Sequence, residues 1–316
     1  MRTAARAACL LAAVLAALVL AGCAEGTFRL PDVSGRDVRV VTTTNFLTDL
    51  ARRVGGDRVQ VTGLMGPGVD PHLYKASARD VRTLRQADLV VYGGLDLEGK
   101  MDDVFEELGR RRPVTAVTDG IPRAKLLDTD QADETYDPHV WFDVSLWMDA
   151  TREAARALTR VDPAGEATYR ANADAYVAEL RELRALDREV AERIAAIPRE
   201  SRVLVTSHDA FRYFGRRYGL EVVAIQGIST ATEATTADIE RVAQVVAERR
   251  LKGVFLESSV PQQTIDAVLD AARDRGQPAR IGGELYTDAA GDEGTPEGTY
   301  VGMVRANVAK IAEALQ

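Results

Sequence analysis

RVLVTSHDAFRYFGRRYGLEVVAIQG, residues 202–227, is the stretch that decides the fold. It begins with a short apolar run, RVLVTSH (202–208), and ends with another, EVVAIQG (221–227). Between them lies a helical segment that begins near Asp209. Short strands that alternate with helices are typical of parallel α/β structure. The first run also ends in His208, one of only three histidines in the 316-residue chain.

The same alternation extends over most of the chain. Strand-like runs occur at 39–44, 58–64, 88–94 and 113–117, and again at 202–208, 221–227, 253–258 and 278–283. Helical sequence separates neighbouring runs. Four strands followed by four strands predict two (β/α)4-type lobes with parallel sheets, an N-terminal lobe over 37–162 and a C-terminal lobe over 199–316.

The segment between these lobes is PAGEATYRANADAYVAELRELRALDREVAERIAAIP (163–198). Pro163 is suited to a helix start and Pro198 to a stop. Seven apolar side chains recur between them at three- and four-residue steps or multiples of them: Tyr169, Tyr176, Leu180, Leu183, Val190, Ile194 and Ile197. About 34 helical residues would span roughly 50 Å. We therefore predict one long rigid helix that joins the lobes, with a cleft between them.

Residues 1–22 have the features of a secretory signal peptide. Arg2 and Arg6 precede an uncharged apolar run, 7–20. That run is shorter than the roughly 20 residues that a membrane-spanning helix needs, and a basic start with a short apolar core is typical of a signal. One possibility is an ordinary signal peptide that is cleaved without lipidation of the mature protein.

The sequence Leu-Ala-Gly-Cys that ends at Cys23 resembles the lipobox of bacterial lipoproteins. The resemblance implies that Cys23 is lipidated and becomes the mature N-terminus, with residues 23–36 forming the anchor and a tether. We expect an exported protein, lipid-anchored on the outer face of the cytoplasmic membrane.

The amino-acid composition indicates which disulfides and which partners to expect. Cys9 lies within the segment that would be removed, so Cys23 would be left without an intramolecular disulfide partner. The net charge of −8 becomes more negative on cleavage, because residues 1–22 hold two arginines and no acid. Nucleic acid favours a basic face, so no nucleic-acid partner is expected. A monomer is the expected state.

Each histidine follows a predicted strand or a short loop after one. His72 and His139 also stand directly behind Asp-Pro. Ligands of open α/β sheets bind outside the carboxyl ends of strands, and imidazole is a common metal ligand. Proline stiffens the loop, and the aspartate can orient the ring or cap the turn. The pattern predicts a three-histidine metal site, the alternative being ordinary surface or core histidines.

A tetrahedral site needs a fourth donor. Asp288 follows the last predicted strand, and Glu257 and Glu284 also lie near strand ends. Spacing alone does not choose among these three carboxylates.

Several motifs together resemble the metal-binding lipoproteins of ABC importers, the cluster A-I solute-binding proteins. The motifs are DPHLYKASARDVRTLRQADLVVYGGLDLEGKM, DPHVWFD, VTSHDAFRYFGRRYGLEV, QGISTATEAT, VFLESSVPQQTI and IGGELYTDAAGDEGTPEGTYVGM. The similarity extends from near residue 37 to the end of the chain. The resemblance implies a divalent ion held in the interlobe cleft and passed to a membrane permease. The ligands that it implies are His72, His139, His208 and Asp288.

The family resemblance and the chemistry of the donors both bear on the choice of metal. Many manganese-type members have Glu at the third ligand position, whereas His208 is similar to the Tro-type branch. Zinc-dedicated members often carry a long loop rich in histidine and acidic residues between the first two ligands. Residues 95–135 contain no histidine, which weakens a purely zinc assignment. Three imidazoles with one carboxylate suit zinc better than manganese. We expect Zn²⁺ first and Mn²⁺ second, as transported ligand and not as a catalytic cofactor.

Two other classes fit parts of the pattern. A zinc-dependent hydrolase or hydratase would keep an open position on three histidines and use Asp288 as a general base, but an HExxH motif is absent. A sugar, peptide or adhesion lipoprotein would need exposed aromatic platforms. The two tryptophans, Trp141 and Trp147, lie close to His139 in sequence and are expected in the core or packed around the site.

Overall fold

The computed structural model describes residues 30–129, 135–185 and 187–315. The predicted signal peptide and Cys23 lie outside these ranges. The strands are β1 (Val38–Thr42), β2 (Val59–Gly63), β3 (Leu89–Tyr92), β4 (Val114–Ala116), β5 (Val203–Thr206), β6 (Glu221–Ala224), β7 (Gly253–Glu257) and β8 (Arg280–Leu285). The α-helices are α1 (Asn45–Gly55), α2 (Ala78–Gln86), α3 (Asp102–Gly109), α4 (Val144–Val161), α5 (Glu166–Ala185), α6 (Asp187–Ala195), α7 (Arg212–Tyr218), α8 (Thr236–Glu248), α9 (Gln263–Asp274) and α10 (Tyr300–Ala314).

The first four strands form one parallel sheet in the order β2-β1-β3-β4. Val40 of the central strand β1 lies opposite Val61 on one side and Leu89 on the other. β3 is buried along Leu89–Val91, as expected for strands covered on both faces. The predicted parallel sheet of the first lobe is confirmed.

The last four strands also pair in parallel, and this confirms the two-lobed α/β prediction. They form two bonded pairs, β5-β6 and β7-β8, rather than one four-stranded ladder. A side chain joins the carboxyl ends of β5 and β7, since the backbone N–H of His208 donates to Glu257 Oε1 at 2.9 Å.

Local capping determines where the helices near the cleft begin and end. Ser77 and Asp80 form a capping box at the start of α2, with each side chain accepting the other's backbone N–H. In the stretch that opens the C-terminal lobe, α7 ends at Tyr218, and Gly219 follows with φ of 71°. Glycine accepts this left-handed conformation without steric cost, so the chain can turn directly into β6.

The segment predicted to join the lobes is helical as α5 and α6, and residue 186 between them lies outside the described residues. Pro163 opens a 3₁₀ turn ahead of α5, and the helical part ends before Pro198. The seven apolar side chains named above for this segment are all buried. Six of them, all except Ile197, belong to a core that also contains Trp147 and Tyr300, so packing holds both α5 and α6 against the rest of the protein. The domain boundaries at 163 and 198 stay a prediction.

The described residues from 31 to 315 form one compact unit. Its amino-terminal end is fixed by ion pairs, because Arg36 and Arg39 both contact the buried carboxylate of Asp88. Within the described ranges, the structure has no helix that is both long and apolar enough to cross a membrane.

Candidate metal centre

The four residues predicted as ligands come from four separate segments. His72 lies in the loop between β2 and α2, and His208 lies two residues beyond β5. Asp288 lies three residues beyond β8. Strand ends therefore deliver three of the four side chains to one edge, as expected for an open α/β fold.

His139 departs from the expectation that each histidine follows a strand closely. Residues 117–138 separate it from β4, and a 3₁₀ turn, Val140–Phe142, connects it to α4. Its loop is held from the other lobe. The hydroxyl of Tyr213, on α7, donates to the Asp137 carbonyl at 2.9 Å and accepts the Leu127 backbone N–H at 3.0 Å. The short-loop expectation is wrong here because tertiary hydrogen bonds position this loop.

The structure brings the four predicted residues together in one buried cluster. One potential ligand atom from each lies within 4.8 Å of all the others. The exposed fraction is 3% for His72 and 0% for the other three side chains. The members of the cluster are His72, His139, His208 and Asp288.

The closest distances within the cluster fit a small ion. The Nε2 atoms of His139 and His208 are 3.3 Å apart. Asp288 Oδ1 lies 3.5 Å from the first of these nitrogens, and Oδ2 lies 3.4 Å from the second. Four donors placed about 2.0–2.1 Å from zinc in a tetrahedron are about 3.3–3.4 Å apart. The two imidazole nitrogens thus already have a nearly tetrahedral separation, and each carboxylate oxygen lies at a similar distance from one of them.

Three buried atoms of the cluster have no hydrogen-bond partner within the described part of the chain. They are Nδ1 and Nε2 of His72 and Oδ1 of Asp288. Leaving a buried polar atom unpaired costs free energy, and such atoms are rare in folded proteins. A cation at the centre of the cluster would pair with Asp288 Oδ1 and one nitrogen of His72.

Carboxylates orient two of the three imidazoles. Nδ1 of His139 lies 2.8 Å from Asp137 Oδ1, and Nδ1 of His208 contacts Glu257 Oε2. A carboxylate accepts hydrogen bonds, so each Nδ1 carries the proton. Each Nε2 is then the atom available to an ion, which is the arrangement expected around a metal-binding histidine.

His72 is held differently, although it follows the same Asp-Pro pair. Asp70 Oδ1 accepts the His72 backbone N–H at 2.8 Å, and Oδ2 accepts the hydroxyl of Thr230 at 2.5 Å. Asp70 therefore caps its turn and contacts the C-terminal lobe, but it does not bind the ring.

The three histidines differ in how their surroundings shift their pKa values. Burial lowers the pKa of His72 to about 3. Burial also opposes the charge on His139, but the hydrogen bond with Asp137 and the nearby negative charge of Asp288 outweigh it and raise that pKa to about 9. For His208, the charges of Glu257 and Asp288 overcome burial and hold its pKa well above the usual value.

The pKa of Asp288 is shifted in the opposite direction. Burial would raise it, but the neighbouring imidazoles of His208 and His139 hold the pKa of this carboxyl well below its usual value. Asp288 is therefore ionised over the physiological pH range and supplies negative charge to the cluster.

The structure shows which of the three candidate carboxylates lies in the cluster, a question that sequence spacing did not answer. Asp288 joins the cluster, whereas Glu257 lies behind His208 and bonds both its backbone and its ring. Glu284 is exposed.

The sequence interpretation missed two hydroxyls that support the site. They are Thr230, which binds Asp70, and Ser259, which donates to Asp288 Oδ2 at 3.0 Å. Ser259 directly follows a predicted strand, and this position could have indicated that it lies near the site. Thr230 lies within the QGISTATEAT motif but 160 residues from its partner, and the motif does not indicate that contact.

Comparison with known proteins identifies the family. Residues 40–314 match the family model ZnuA, described as the periplasmic component A of a zinc-uptake complex. The chain belongs to this family of metal-binding solute-binding proteins of ABC importers. The family resemblance read from the sequence motifs is therefore confirmed.

Relatives within the ZnuA family are named for different metals. The chain is 44% identical over 308 residues to the manganese-binding lipoprotein MntA of Bacillus subtilis, covering 97% of this chain and 99% of MntA. It is 46% identical over 276 residues to the zinc-binding protein TroA of Treponema pallidum, covering 87% and 88%. The solved structure of TroA superposes with a TM-score of 0.84 at 45% identity, covering 88% of this chain and 99% of that one.

Proposed function

We propose that this protein is the extracytoplasmic solute-binding lipoprotein of an ABC importer, and that it captures Zn²⁺ in preference to Mn²⁺ for delivery to a membrane permease. The observation that carries the proposal is the buried cluster of three imidazoles and one carboxylate, with donor atoms within 4.8 Å of one another. The ligands that we propose are His72, His139, His208 and Asp288.

The chemistry of the donor set supports zinc as the first choice. Three nitrogens and one carboxylate oxygen are typical zinc donors, and the Irving–Williams order places zinc above manganese. The Nε2 atoms of His139 and His208 lie 3.3 Å apart, close to the separation of two donors in a tetrahedral site, and one oxygen of Asp288 lies within 3.5 Å of each. The name of MntA keeps manganese as the second candidate.

The location and the partners follow from the amino terminus and the family. The lipobox-like sequence that ends at Cys23 supports a lipid anchor on the outer face of the cytoplasmic membrane. We infer a monomer that meets its permease there. The protein acts by binding and release and not as an enzyme, because a cage of four protein ligands leaves no position for a reacting water.

A metal titration of the purified mature lipoprotein in detergent tests the proposal. We expect one Zn²⁺ per chain, with Mn²⁺ displaced by Zn²⁺ in competition against a chromophoric chelator. A folded protein that binds neither ion would refute the function. Hydrolysis of an activated ester, or hydration of CO₂, by the zinc-loaded protein would favour a zinc hydrolase or hydratase with an open site.

A further inference from the structure

The two oxygens of the Asp288 carboxylate have different surroundings. Oδ2 accepts a hydrogen bond from Ser259 Oγ at 3.0 Å. Oδ1 is buried and has no hydrogen-bond partner among the described residues. Both oxygens lie within 3.5 Å of an imidazole Nε2, so either one could reach an ion held by the histidines. The carboxylate is thus asymmetric before any ion binds.

A short chain of hydroxyls fixes the direction of the Ser259 hydrogen bond. Ser259 Oγ lies 2.8 Å from Thr287 Oγ1, and both side chains are buried. Because an ionised carboxylate can only accept, Ser259 donates its proton to Asp288. Its oxygen is then left to accept the proton of Thr287. Thr287 therefore donates to Ser259, and Ser259 donates to Asp288.

The pairing of β7 with β8 places these two hydroxyls beside Asp288. Ser259 follows β7 and Thr287 follows β8, and Glu257 lies opposite Leu285 at the ends of these paired strands. The backbone N–H of Ser258 continues the ladder by donating to the Leu285 carbonyl at 2.9 Å. The Ser259 hydroxyl is therefore positioned by the same paired strands that deliver Asp288.

The asymmetry affects how many donors an ion receives. The hydrogen bond from Ser259 draws electron density from Oδ2, which makes Oδ2 the weaker donor to an ion and Oδ1 the stronger one. One oxygen with three imidazoles makes a four-donor site, which suits Zn²⁺. Two oxygens would make a five-donor site richer in oxygen, which suits Mn²⁺ better.

We propose that Ser259 is a specificity-determining residue: by holding Oδ2 of Asp288, its hydroxyl keeps this ligand monodentate and favours Zn²⁺ over Mn²⁺. This inference rests on the proposed function, because it assumes that Asp288 binds the transported ion. It adds a residue outside the ligand set that controls which ion the set prefers.

The test is the ratio of Mn²⁺ to Zn²⁺ dissociation constants in Ser259→Ala. Ser258→Ala is the matched control, because Ser258 Oγ is also buried but has no hydrogen-bond partner in the described structure. We expect Ser259→Ala to shift the ratio about tenfold toward Mn²⁺, the size expected for one hydrogen bond to a charged group. Ser258→Ala should keep the ratio of the unchanged protein.

Co²⁺ substitution gives a second readout. Absorption by four-coordinate Co²⁺ is stronger than absorption by five-coordinate Co²⁺, so we expect the visible bands to weaken in Ser259→Ala and to stay unchanged in Ser258→Ala. If Ser259→Ala does not fold, Thr287→Val removes the hydroxyl that donates to Ser259. It should shift the ratio in the same direction by a smaller factor.

Two outcomes would overturn the inference while leaving the proposed function intact. One is an unchanged ratio and spectrum in Ser259→Ala. The other is an equal loss of affinity for both ions with the Co²⁺ spectrum unchanged, which would mean that the hydroxyl only orients the ligand. If the unsubstituted protein binds neither ion, the proposed function itself fails.

Discussion

The tripeptide Asp-Pro-His occurs twice in the cluster, at 70–72 and at 137–139, and the two copies hold their histidines differently. In both copies the aspartate Oδ1 accepts the histidine backbone N–H, at 2.8 and 3.0 Å. In the second copy the same oxygen also lies 2.8 Å from the ring Nδ1. In the first copy the other aspartate oxygen accepts the Thr230 hydroxyl, and no described residue bonds the ring.

The difference shows that the tripeptide sets the backbone turn. The surroundings of each ring, and not the tripeptide, determine its orientation and its pKa. The second copy gives a ring oriented by a carboxylate, with its pKa raised to about 9. The first gives a ring positioned by packing, and burial lowers its pKa to about 3. His72 is also the one cluster side chain with any exposed fraction, 3%, and the next residue, Leu73, is half-exposed. We therefore expect His139 to belong to the fixed part of the site and His72 to close it on the solvent side.

The largest effect should come from removing the rings themselves. His139→Ala and His72→Ala each delete one proposed ligand, so zinc affinity should fall by more than the ~10–100-fold typical of losing a partner behind a ligand. A competitive chelator titration measures the loss. Wild-type affinity in either variant would remove that histidine from the ligand set.

The stability of the metal-free variants sharpens the comparison. His139→Ala leaves the buried Asp137 without its ring partner, so its metal-free form should be destabilised by about 1–3 kcal/mol from that loss alone. His72→Ala breaks no ring hydrogen bond to a described residue, so its metal-free form should lose less. Thermal or denaturant unfolding of both metal-free variants checks the order. Equal losses would show that the carboxylate contact does not distinguish the two rings.

The next effect concerns the two aspartates. Asp137→Asn replaces the carboxylate behind His139 with a neutral amide, and zinc affinity should fall by about 10–100-fold. Asp70→Asn keeps an oxygen that can accept the His72 backbone N–H, and it removes no ring contact. We expect at most a few-fold change there. Parallel zinc titrations test the pair, and a loss in Asp70→Asn as large as in Asp137→Asn would contradict the ring-contact explanation.

The fold was largely predictable because the strands are short apolar runs between helical segments, a pattern that local sequence carries. The motif resemblance also singled out the four clustered residues. Long-range contacts were not predictable: nothing near Asp70 reveals that Thr230 will bind it. Spacing could not separate Glu257 from Asp288, because both follow strands and only the packing of β7 against β5 turns Glu257 toward His208.

The last effect is the dependence of zinc affinity on pH. A raised pKa means that His139 keeps its proton to higher pH, and an ion must displace that proton to bind. Affinity should therefore fall as pH drops, by about tenfold per pH unit for this proton below about pH 9, and not only below the usual histidine pKa of about 6.5. Zinc titrations across this range should show the same slope in Asp70→Asn as in the unchanged protein, because burial keeps His72 neutral throughout. The slope should be shallower in Asp137→Asn, where the raised pKa loses its main support. Affinity that stays level between pH 9 and 7 would show that His139 holds no proton for the ion to displace, and the contrast between the two copies would then lie in ring orientation alone.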